Sequence, residues 1–530
     1  MPGPFRLTRR RAAGAIATLA TLAGASYAAV AAPAATSPAG EAIVQFLPGT
    51  APAAARIDVM AAGGVVTGEL PIIHGLVAHL SASQADELRG DAAVKAVTFN
   101  AAVKSTSVST RRLETSYPLS LSAPNVWNTS SYSYYSTSAG VTRVYTPAQT
   151  GRGVGVAVID TGIAGGLPDF RRSGWDPSSR VIASAVVNPN ATTAEDTYGH
   201  GTHVAGIIAG NGNMRTDGAS GHFIGVAPEA NLISVKVADD NGDASVLDVI
   251  YGLQFVVDHK ADYNIRVVNM SLDSVNPSSA ATDPMDAAVE AAWNAGIVVV
   301  AAAGNAGDAP DAVSHAPAND PYIITVGATD DQGTPSPADD TVASWSSRGV
   351  TSDGVTKPEV LAPGAHIVST LAPDSAFQEM CPWCVVEDSY IRAGGTSMAA
   401  PMVSGMVALM VGRRPSLTPN QVKGILTSTE GGTQTPDGVL ANARMAVYAP
   451  DVPTANTDLT PNTLLDPATG QVDPTRSSWS RSSWSSAGPD LTAGWARSSW
   501  SCDCSLLADG SLDPSRSSWS RSSWSTSWTD

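Results

Sequence analysis

Positive charge is scarce in this sequence. Its 530 residues contain 31 Lys and Arg against 48 Asp and Glu, which gives a formal net charge of −17. Binding along a nucleic-acid backbone requires clusters of basic side chains, so nucleic acid is excluded as the main partner. Apolar residues make up 43% of the chain, which is typical of a globular protein, and the length allows about three domains.

Long apolar runs are also few, and the only prominent one lies at the start. A stretch with four arginines precedes "AAGAIATLATLAGASYAAVAA", which ends on small residues at 29–31. This order predicts an export signal over residues 1–31. A membrane span is the alternative, but Ala and Gly dilute the hydrophobicity of the run and no comparable run follows. We therefore expect a secreted, extracellular protein.

Cysteine is rare, with four residues in two close pairs, Cys381 and Cys384 in "CPWC" and Cys502 and Cys504 in "CDC". Disulfides are the default in an oxidising compartment, and the sequence leaves three pairings open, including bonds between the two pairs. A zinc site of four thiolates is the less favoured alternative, because the pairs lie far apart in the sequence.

The C-terminal region lacks two common residue types, since no Lys follows Lys423 and no Glu follows Glu430. Instead the pentapeptide "RSSWS" occurs five times with few aliphatic residues. Such a composition cannot build a core of ordinary size and predicts a low-complexity tail over residues 450–530. Two interpretations of the tail stay open. It is a solvated spacer or a remnant of secretion, or its Trp rings form a weak multivalent anchor to a cell-surface polysaccharide.

What is present begins with a small unit. Over residues 41–104 the apolar patterns predict the order β-α-β-β-α-β, which is the ferredoxin-like α+β arrangement. A Ser/Thr-rich stretch with little periodicity, residues 105–148, follows and indicates a linker or surface segment.

From residue 149 to 449, short continuous apolar runs alternate with segments of helical spacing. Runs such as "GVGVAVID" and "GIVVVAAAG" suit strands of a parallel sheet that is covered on both faces. The pattern predicts a doubly wound α/β domain with a mostly parallel sheet and helices on both faces. In such a domain the chemistry lies beyond the carboxyl ends of the strands.

Three motifs place reactive side chains at such ends. "VAVIDTG" ends a strand on Asp160, "GHGTHVAG" places His200 and His203 at the start of a helix, and "GGTSMAAP" places Ser397 at the start of another. Asp, His and Ser can act as orienting carboxylate, base and nucleophile. For Ser397 the alternative is a helix cap, and the spacing alone does not choose between the two histidines. An aspartic-protease dyad would need a second D-[ST]-G, which the chain lacks.

Four blocks then decide the interpretation. "VIDTGI", "HGTHVAGIIAG", "AAAGNAG" and "GGTSMAAPMVSG" resemble the signature blocks of the subtilisin-like serine proteases, in the family's order. The similarity extends over 150–448 and is greatest to a bacterial alkaline-protease branch. It implies a serine endopeptidase of broad specificity that acts on extended protein or peptide substrates.

The resemblance also implies roles for individual residues. Ser397 would be the nucleophile, His200 the general base and Asp160 the orienting carboxylate, while Asn305 would donate to the oxyanion and His203 would be structural. Ser271, Leu272, Asp273, Ala302, Ala303 and Gly304 would form the substrate-binding set. Asp273 stands where the family usually has Gly, so that its carboxylate either disfavours acidic substrates or points to solvent.

Further expectations follow from the same resemblance. The 41–104 unit is similar to the family's inhibitory prosegment, which implies a zymogen whose mature chain starts within residues 105–148. No cofactor is expected for the chemistry. Asp169 matches a calcium-ligand position but its usual partners are missing, so a structural calcium stays open and unsupported. We also expect a monomer.

Overall fold

A computed structural model of the protein describes residues 40–100, 102–104, 116–127, 131–137, 140–146, 149–172, 176–214, 223–463, 465, 502–506 and 512–519. The predicted export signal, the stretch just after residue 104 and most of the repeat tail lie outside the described residues. Within the described part of the chain, no helix has the length and apolar character needed to cross a membrane.

The N-terminal unit has the element order expected from its sequence. Its elements are β1 (Gly40–Phe46), α1 (Pro52–Ala61), β2 (Val65–Leu70), β3 (Gly75–Leu80), α2 (Ala82–Arg89) and β4 (Val94–Phe99). The strands form an antiparallel sheet in the order β2-β3-β1-β4. Ser81 caps α2 in a capping box with Gln84, which is why the helix starts there. The unit has its own apolar core between the sheet and the helices.

The connection to the next domain contains β5 (Ala102–Lys104), the short helices α3 (Tyr117–Ser120) and α4 (Pro124–Trp127), and a hairpin of β6 (Ser131–Thr137) and β7 (Gly140–Thr146). The two helices depart from the linker expected over 105–148. Tyr117, Leu121 and Val126 are buried in the core of the large domain, and Trp127 Nε1 donates to the Val226 carbonyl at 2.8 Å. These helices were not predicted, because each is held by single buried side chains that form no repeating pattern of helical spacing.

The large domain alternates strands and helices as predicted. Its first half contains β8 (Gly155–Asp160), β9 (Val181–Val186), α5 (His200–Ala209), β10 (Asn231–Lys236), β11 (Ala244–Ser245), α6 (Val246–Asp258), β12 (Ile265–Met270), β13 (Asp273–Ser274), α7 (Pro284–Asn294) and β14 (Val298–Ala302). Its second half contains β15 (Ile324–Asp330), β16 (Thr341–Val342), β17 (Gly349–Val350), β18 (Thr356–Lys357), β19 (Val360–Pro363), β20 (Ile367–Thr370), α8 (Ala376–Met380), β21 (Val385–Val386), β22 (Tyr390–Ala393), α9 (Thr396–Arg413), α10 (Pro419–Leu426), β23 (Gly432–Thr435), β24 (Gly438–Ala441) and α11 (Ala443–Tyr448).

The described residues of this domain form a central sheet in the order β23-β24-β19-β15-β14-β12-β8-β10-β9, with β16 added beside β15. All neighbours from β24 to β9 are parallel, and β23 and β16 pair antiparallel. Helices α5 and α9 pack together against the sheet, and α6 and α7 form a second packed pair. The predicted doubly wound, mostly parallel α/β fold is confirmed.

Strand β8 is the point where the winding of the sheet reverses. The chain passes from β8 to β9 and β10 on one side, and α6 then carries it across to β12 on the other. Ligands of doubly wound sheets bind beyond the carboxyl end of the strand at such a point. In this chain that end carries Asp160.

Two buried lysines hold the segment between β14 and β15. Lys423 Nζ donates to the carbonyls of Pro321 at 2.6 Å and Ile323 at 2.8 Å. Lys357 Nζ donates to the carbonyl of Asp320 at 2.6 Å. Both ammonium groups also lie 2.8 Å from Glu359 Oε1, so one carboxylate joins them.

The segment after α11 continues along the large domain as far as residue 465, inside the range assigned to the tail. Tyr322 donates from its hydroxyl to the Leu459 carbonyl at 2.9 Å. The backbone N–H of Asn462 donates to both carboxylate oxygens of Glu290, at 3.0 and 2.8 Å. Farther on, β25 (Cys502–Leu506) and β26 (Leu512–Trp519) pair antiparallel.

Candidate active site

The carboxyl end of β8 holds a buried carboxylate–imidazole pair. Asp160 is the last residue of β8, and His200 is the first residue of α5. His200 Nδ1 donates to Asp160 Oδ1 at 2.7 Å, and the side chains are only 1% and 3% exposed, respectively. The same Asp160 oxygen accepts from the backbone N–H of Thr161 at 2.8 Å. The carboxylate that binds His200 is therefore itself held by the backbone.

Asp196, which sequence reasoning missed, holds the start of α5 in place. Its Oδ1 accepts from the Gly199 N–H and its Oδ2 from the Thr202 N–H, both at 2.7 Å. Burial raises the pKa of this carboxyl, while the hydrogen bonds oppose the shift. Since a carboxylate is stabilising at a helix N-terminus, Asp196 fixes the turn that presents His200.

His203 lies one turn further along α5 and makes a different set of contacts. Its Nε2 donates to the carbonyl of Ile391 at 3.0 Å and lies 3.3 Å from that of Ile367. Burial, together with the nearby His200, lowers the pKa of His203 to about 3. The ring is therefore neutral and bound to backbone, which differs from the position of His200.

Ser397 is the second residue of α9, which packs against α5 and against β12 and β14. Its hydroxyl donates to the Ser271 carbonyl at 3.2 Å, and the Ser271 hydroxyl donates to the Ser397 carbonyl at 2.9 Å. These reciprocal bonds join the start of α9 to the segment after β12. The helix N-terminus at Ser397 favours negative charge nearby.

The Asn305 side chain is oriented by Thr396, a residue that sequence reasoning did not single out. Asn305 Oδ1 accepts from the Thr396 N–H at 3.0 Å and lies 3.1 Å from the Thr396 hydroxyl. Asn305 Nδ2 is buried and has no hydrogen-bond acceptor among the described residues. The amide is thus held with its N–H groups available beside the start of α9.

The six residues expected to bind substrate come from two neighbouring strand ends. Ser271, Leu272 and Asp273 follow β12, while Ala302, Ala303 and Gly304 end and follow β14. Because β12 and β14 are adjacent and parallel, the two segments leave the sheet side by side. Gly304 has φ +94°, and its N–H donates to the Thr396 hydroxyl at 3.1 Å.

Asp273 does not point to solvent, and that alternative is wrong. The residue is 6% exposed, and its Oδ2 lies 3.1 Å from the position that a Cβ on Gly304 would occupy. Its carboxylate therefore spans from one segment to the other.

Comparison with known proteins decides the family. The profile of the subtilase family matches residues 151–465. The chain belongs to the subtilase family.

Named relatives of this subtilase are proteases. "Serine protease AprX" of Bacillus subtilis is 42% identical over 283 residues, which are 52% of this chain and 61% of that protein. "Subtilisin Savinase" of Lederbergia lenta is 34% identical over 58% of this chain and 97% of its own length. "Thermostable alkaline protease" of Halalkalibacterium halodurans is 32% identical over 68% of this chain and 78% of its own. The predicted identification as a subtilisin-type serine protease is confirmed at the level of the family.

In the subtilase, β5 lies between two short strands of the large domain. It pairs antiparallel with β11, where Val103 is opposite Ala244, and with β13, where Lys104 is opposite Asp273. The three strands form a separate small sheet. The end of the N-terminal unit is therefore bound as a third strand, which is the way an extended peptide adds to open sheet edges.

Asp169 does not fit a calcium ion. Its Oδ2 accepts from the Thr370 hydroxyl at 2.7 Å, and its Oδ1 lies 3.3 Å from both the Tyr390 hydroxyl and the Met214 N–H. These three groups point their hydrogen atoms at the carboxylate. The groups around a calcium ion would instead have to present oxygen lone pairs to it. Among the described residues, no group of three or more His, Cys, Asp or Glu side chains could hold a metal. That the chemistry needs no cofactor stays a prediction.

Cys381 and Cys384 form a disulfide with each other. Both sulfurs are used in this bond, so the four-thiolate zinc site and a link from "CPWC" to the tail are wrong. The pairing of Cys502 and Cys504 stays a prediction, because their side chains lie outside the described residues.

Proposed function

We propose that this subtilase is a secreted serine endopeptidase, made as a zymogen, in which Asp160, His200 and Ser397 carry the reaction. The observation that carries the proposal is the buried 2.7 Å bond between His200 Nδ1 and Asp160 Oδ1. It fixes the proton on Nδ1, so that Nε2 is the nitrogen able to accept a proton from serine.

In the proposed reaction the Ser397 Oγ attacks the carbonyl carbon of the substrate, and its proton passes to His200 Nε2. The carbonyl oxygen takes up the negative charge. The C–N bond then breaks as His200 returns the proton to the leaving amine, which leaves an acyl group on Ser397. Water attacks the acyl carbon and gives a proton to His200, the bond between that carbon and Ser397 Oγ breaks, and His200 returns the proton to Oγ as the free acid departs. Asp160 stabilises the imidazolium at both steps.

Two donors would stabilise the negative oxygen. One is Asn305 Nδ2, which Thr396 orients and which has no acceptor among the described residues. The other is the backbone N–H of Ser397, near the start of α9. Donors that are fixed before the reaction stabilise developing charge without reorganisation, which is their main contribution to the rate.

The substrate would be a protein or peptide in extended form. Strands β11 and β13 leave room for one strand between them, and β5 takes that place through backbone pairing. Backbone pairing is indifferent to side chains, which supports broad specificity. The carboxylate of Asp273 beside Gly304 would act against acidic side chains.

The N-terminal unit would be the inhibitor of this zymogen. Besides the β5 pairing, the Ile72 N–H donates to the Gln254 side chain of α6 at 2.8 Å, and the Leu247 N–H donates to Asn100 at 3.2 Å. A bound strand in the cleft excludes substrate. The basic and Ala-rich sequence over residues 1–31 supports export.

The test uses a serine-directed fluorophosphonate on the full chain and on Ser397→Ala. We expect label and peptide hydrolysis for the wild type and neither for the variant. The variant should also retain the 41–104 unit, because release would need the nucleophile. Label on Ser397→Ala, or its recovery trimmed at the wild-type N-terminus, would contradict self-processing by this serine.

A further inference from the structure

A short segment between β20 and β22 lies directly on the residues that precede His200. We call residues 375–384 the clasp. It contains α8 and the turn closed by the disulfide between Cys381 and Cys384. The N–H of Ala376 donates to the Thr197 carbonyl at 3.0 Å, and the N–H of Phe377 donates to the Tyr198 carbonyl at 2.9 Å. The clasp is therefore bonded to the backbone that leads into α5.

Phe377 brings the clasp into contact with the catalytic imidazole. Its ring centroid lies 5.7 Å from that of His200, with the planes at 80°. The same ring packs on Tyr198 at 5.6 Å. An edge-to-face contact of this kind restricts the rotation of a neighbouring ring. Asp160 binds one edge of the His200 ring, and Phe377 of α8 packs against the same ring.

Gly199 shows how closely the clasp is seated. Its φ is +102°, and a Cβ built on it would lie 2.6 Å from the Ser375 hydroxyl and 3.0 Å from Phe377 Cβ. Only glycine fits between the clasp and the start of α5. A displacement of the clasp would therefore change the packing around Gly199, the residue before His200.

The disulfide closes the clasp immediately after α8. The Cys381 N–H donates to the Phe377 carbonyl at 3.2 Å, and the Cys384 N–H donates to the Cys381 carbonyl at 2.9 Å. Helix α8 has five residues, whereas isolated helices below about 12 residues are marginal. Helix α8 is therefore stable only through contacts with the rest of the protein and through the disulfide that follows it.

The turn of the clasp lies at the surface, although its two cysteines are themselves mostly buried. Trp383, between the two cysteines, is 61% exposed, and Cys381 is 8% exposed while Cys384 is fully buried. Attack by an external thiolate would therefore occur at the Cys381 sulfur.

We propose that Phe377 is a positioning residue for His200 and that the disulfide between Cys381 and Cys384 makes this positioning redox-dependent. The proposal rests on the proposed function, in which His200 is the base. A dithiol reductant supplies the two electrons. One of its thiolates attacks the Cys381 sulfur, and the Cys384 sulfur leaves and takes a proton. The second thiol of the reductant then attacks the mixed disulfide, so that Cys381 leaves as a thiol and the reductant forms its own disulfide. The opened clasp no longer holds Phe377 against the imidazole.

The test compares the processed wild type with Cys381→Ser/Cys384→Ser and with the matched control Cys502→Ser/Cys504→Ser, each with and without dithiothreitol. Active sites are titrated with fluorophosphonate, so that kcat is measured per competent enzyme. We expect reduction to lower kcat roughly tenfold or more in the wild type and in the control, as small displacements of catalytic groups do. KM should stay nearly constant, because the clasp contains neither β11 nor β13. The Cys381→Ser/Cys384→Ser enzyme should start at the low kcat and not respond.

Variants of Phe377 separate positioning from a purely structural role. Phe377→Ala should lower kcat and shift the acidic limb of the pH profile of kcat/KM, since the imidazole environment changes. Phe377→Tyr should restore both. An unchanged limb in Phe377→Ala, or wild-type kcat in Cys381→Ser/Cys384→Ser, would overturn the proposal. So would loss of the dithiothreitol response in the Cys502→Ser/Cys504→Ser control.

The two proposals fail differently. If the wild type takes no fluorophosphonate, or if Ser397→Ala still hydrolyses peptides, the proposed function is wrong. If the wild type is labelled, Ser397→Ala is not, and reduction leaves kcat unchanged, the proposed function stands and the clasp proposal is wrong.

Discussion

Thr396 and Asn305 show how much of the candidate site depends on single hydrogen bonds. Thr396 holds Asn305 Oδ1 through its N–H at 3.0 Å and meets Gly304 through its hydroxyl. Without this bond the amide could rotate by a half turn and present oxygen where a donor is needed. The orientation of the Asn305 amide therefore decides whether its contact with a negative oxygen is stabilising or repulsive.

Removing the amide should slow the chemistry without affecting binding. We expect Asn305→Ala to lower kcat roughly 10²–10³-fold, the usual cost of one oxyanion donor, with KM little changed. Steady-state kinetics on a small peptide give both constants. A loss confined to KM would show that Asn305 binds substrate instead.

The two histidines should differ sharply on substitution. Ser397→Ala, His200→Ala and Asp160→Ala should each abolish useful proteolysis, and combining them should add little, since the three residues act as a unit. His203→Ala removes a ring bound to the carbonyl of Ile391, so we expect a lower melting temperature with kcat largely retained. If a folded His203→Ala enzyme lost as much activity as His200→Ala, the assignment of the base would be wrong.

The candidate site was predictable from sequence only where its residues stand in local motifs. Asp160, His200 and Ser397 each stand in a short block at the end of an element. Asp196 and Thr396 were not found, because their roles depend on where their side chains point. Phe377 was not found, because its contact with His200 joins segments far apart in the chain.

Among the elements, β5 is stable only in its place between β11 and β13. It has three residues and pairs with strands of two residues each, so none of the three would persist alone. Its sequence contains no strong strand pattern, so the residues at the end of the N-terminal unit did not predict this pairing. Such pairing depends on tertiary contacts that local patterns do not record.

The contact between β1 and α6 should weaken as pH rises. Glu41 accepts from Asn100 at 2.9 Å, and burial, together with the charge of Asp248, raises the pKa of Glu41 to about 7. Burial likewise raises the pKa of Asp248 to about 7. Tyr251 of α6 also faces Glu41. The pKa of Glu41 is higher when the N-terminal unit is bound to the large domain than its ordinary value of 4.5. The binding of the unit is therefore strongest below pH 4.5 and weakens as the pH rises to about 7.

Glu41→Gln should therefore make the release of the N-terminal unit slower and less pH-dependent. The measurement is the onset of activity in the full chain at pH 5.5 and pH 8, as the ratio of variant to wild type, which cancels the pH dependence of catalysis. We expect a ratio below one at both pH values and severalfold lower at pH 8 than at pH 5.5, because the association of the wild type falls between its ordinary pKa of 4.5 and about 7. Glu87→Gln, an exposed carboxyl on α2, is the control. Equal ratios at both pH values would contradict the prediction.

At the scale of the whole molecule, the segment through residue 465 belongs with the large domain, although its composition resembles the start of the tail. Asn462 binds Glu290 of α7, and the family match also extends to residue 465. The sequence predicted the layers and winding of the fold, because apolar periodicity reports burial directly. It could not place this segment, whose attachment uses a few polar contacts without periodicity.

Glu290 should make the stability of the molecule fall as pH rises. Burial and the charge of Asp320 raise its pKa well above the ordinary 4.5. The folded state therefore keeps a proton that the unfolded chain releases, and the free energy of unfolding decreases as pH rises above 4.5. We expect Glu290→Gln to melt a few degrees higher than the wild type at pH 9, with little difference at pH 4. Thermal unfolding of the Ser397→Ala background avoids self-digestion, and a gain equal at both pH values would contradict the assignment.

The two lysines that hold the segment before β15 have a consequence for the response of the protein to its medium. A dissociable ion stabilises a fold in proportion to the logarithm of its free concentration, so that dilution or a chelator removes the effect. Lys357 and Lys423 bring their charges to the carbonyls of residues 320–323 on covalent tethers. The occupancy of that position is independent of mass action, and no sequestering agent can deplete it.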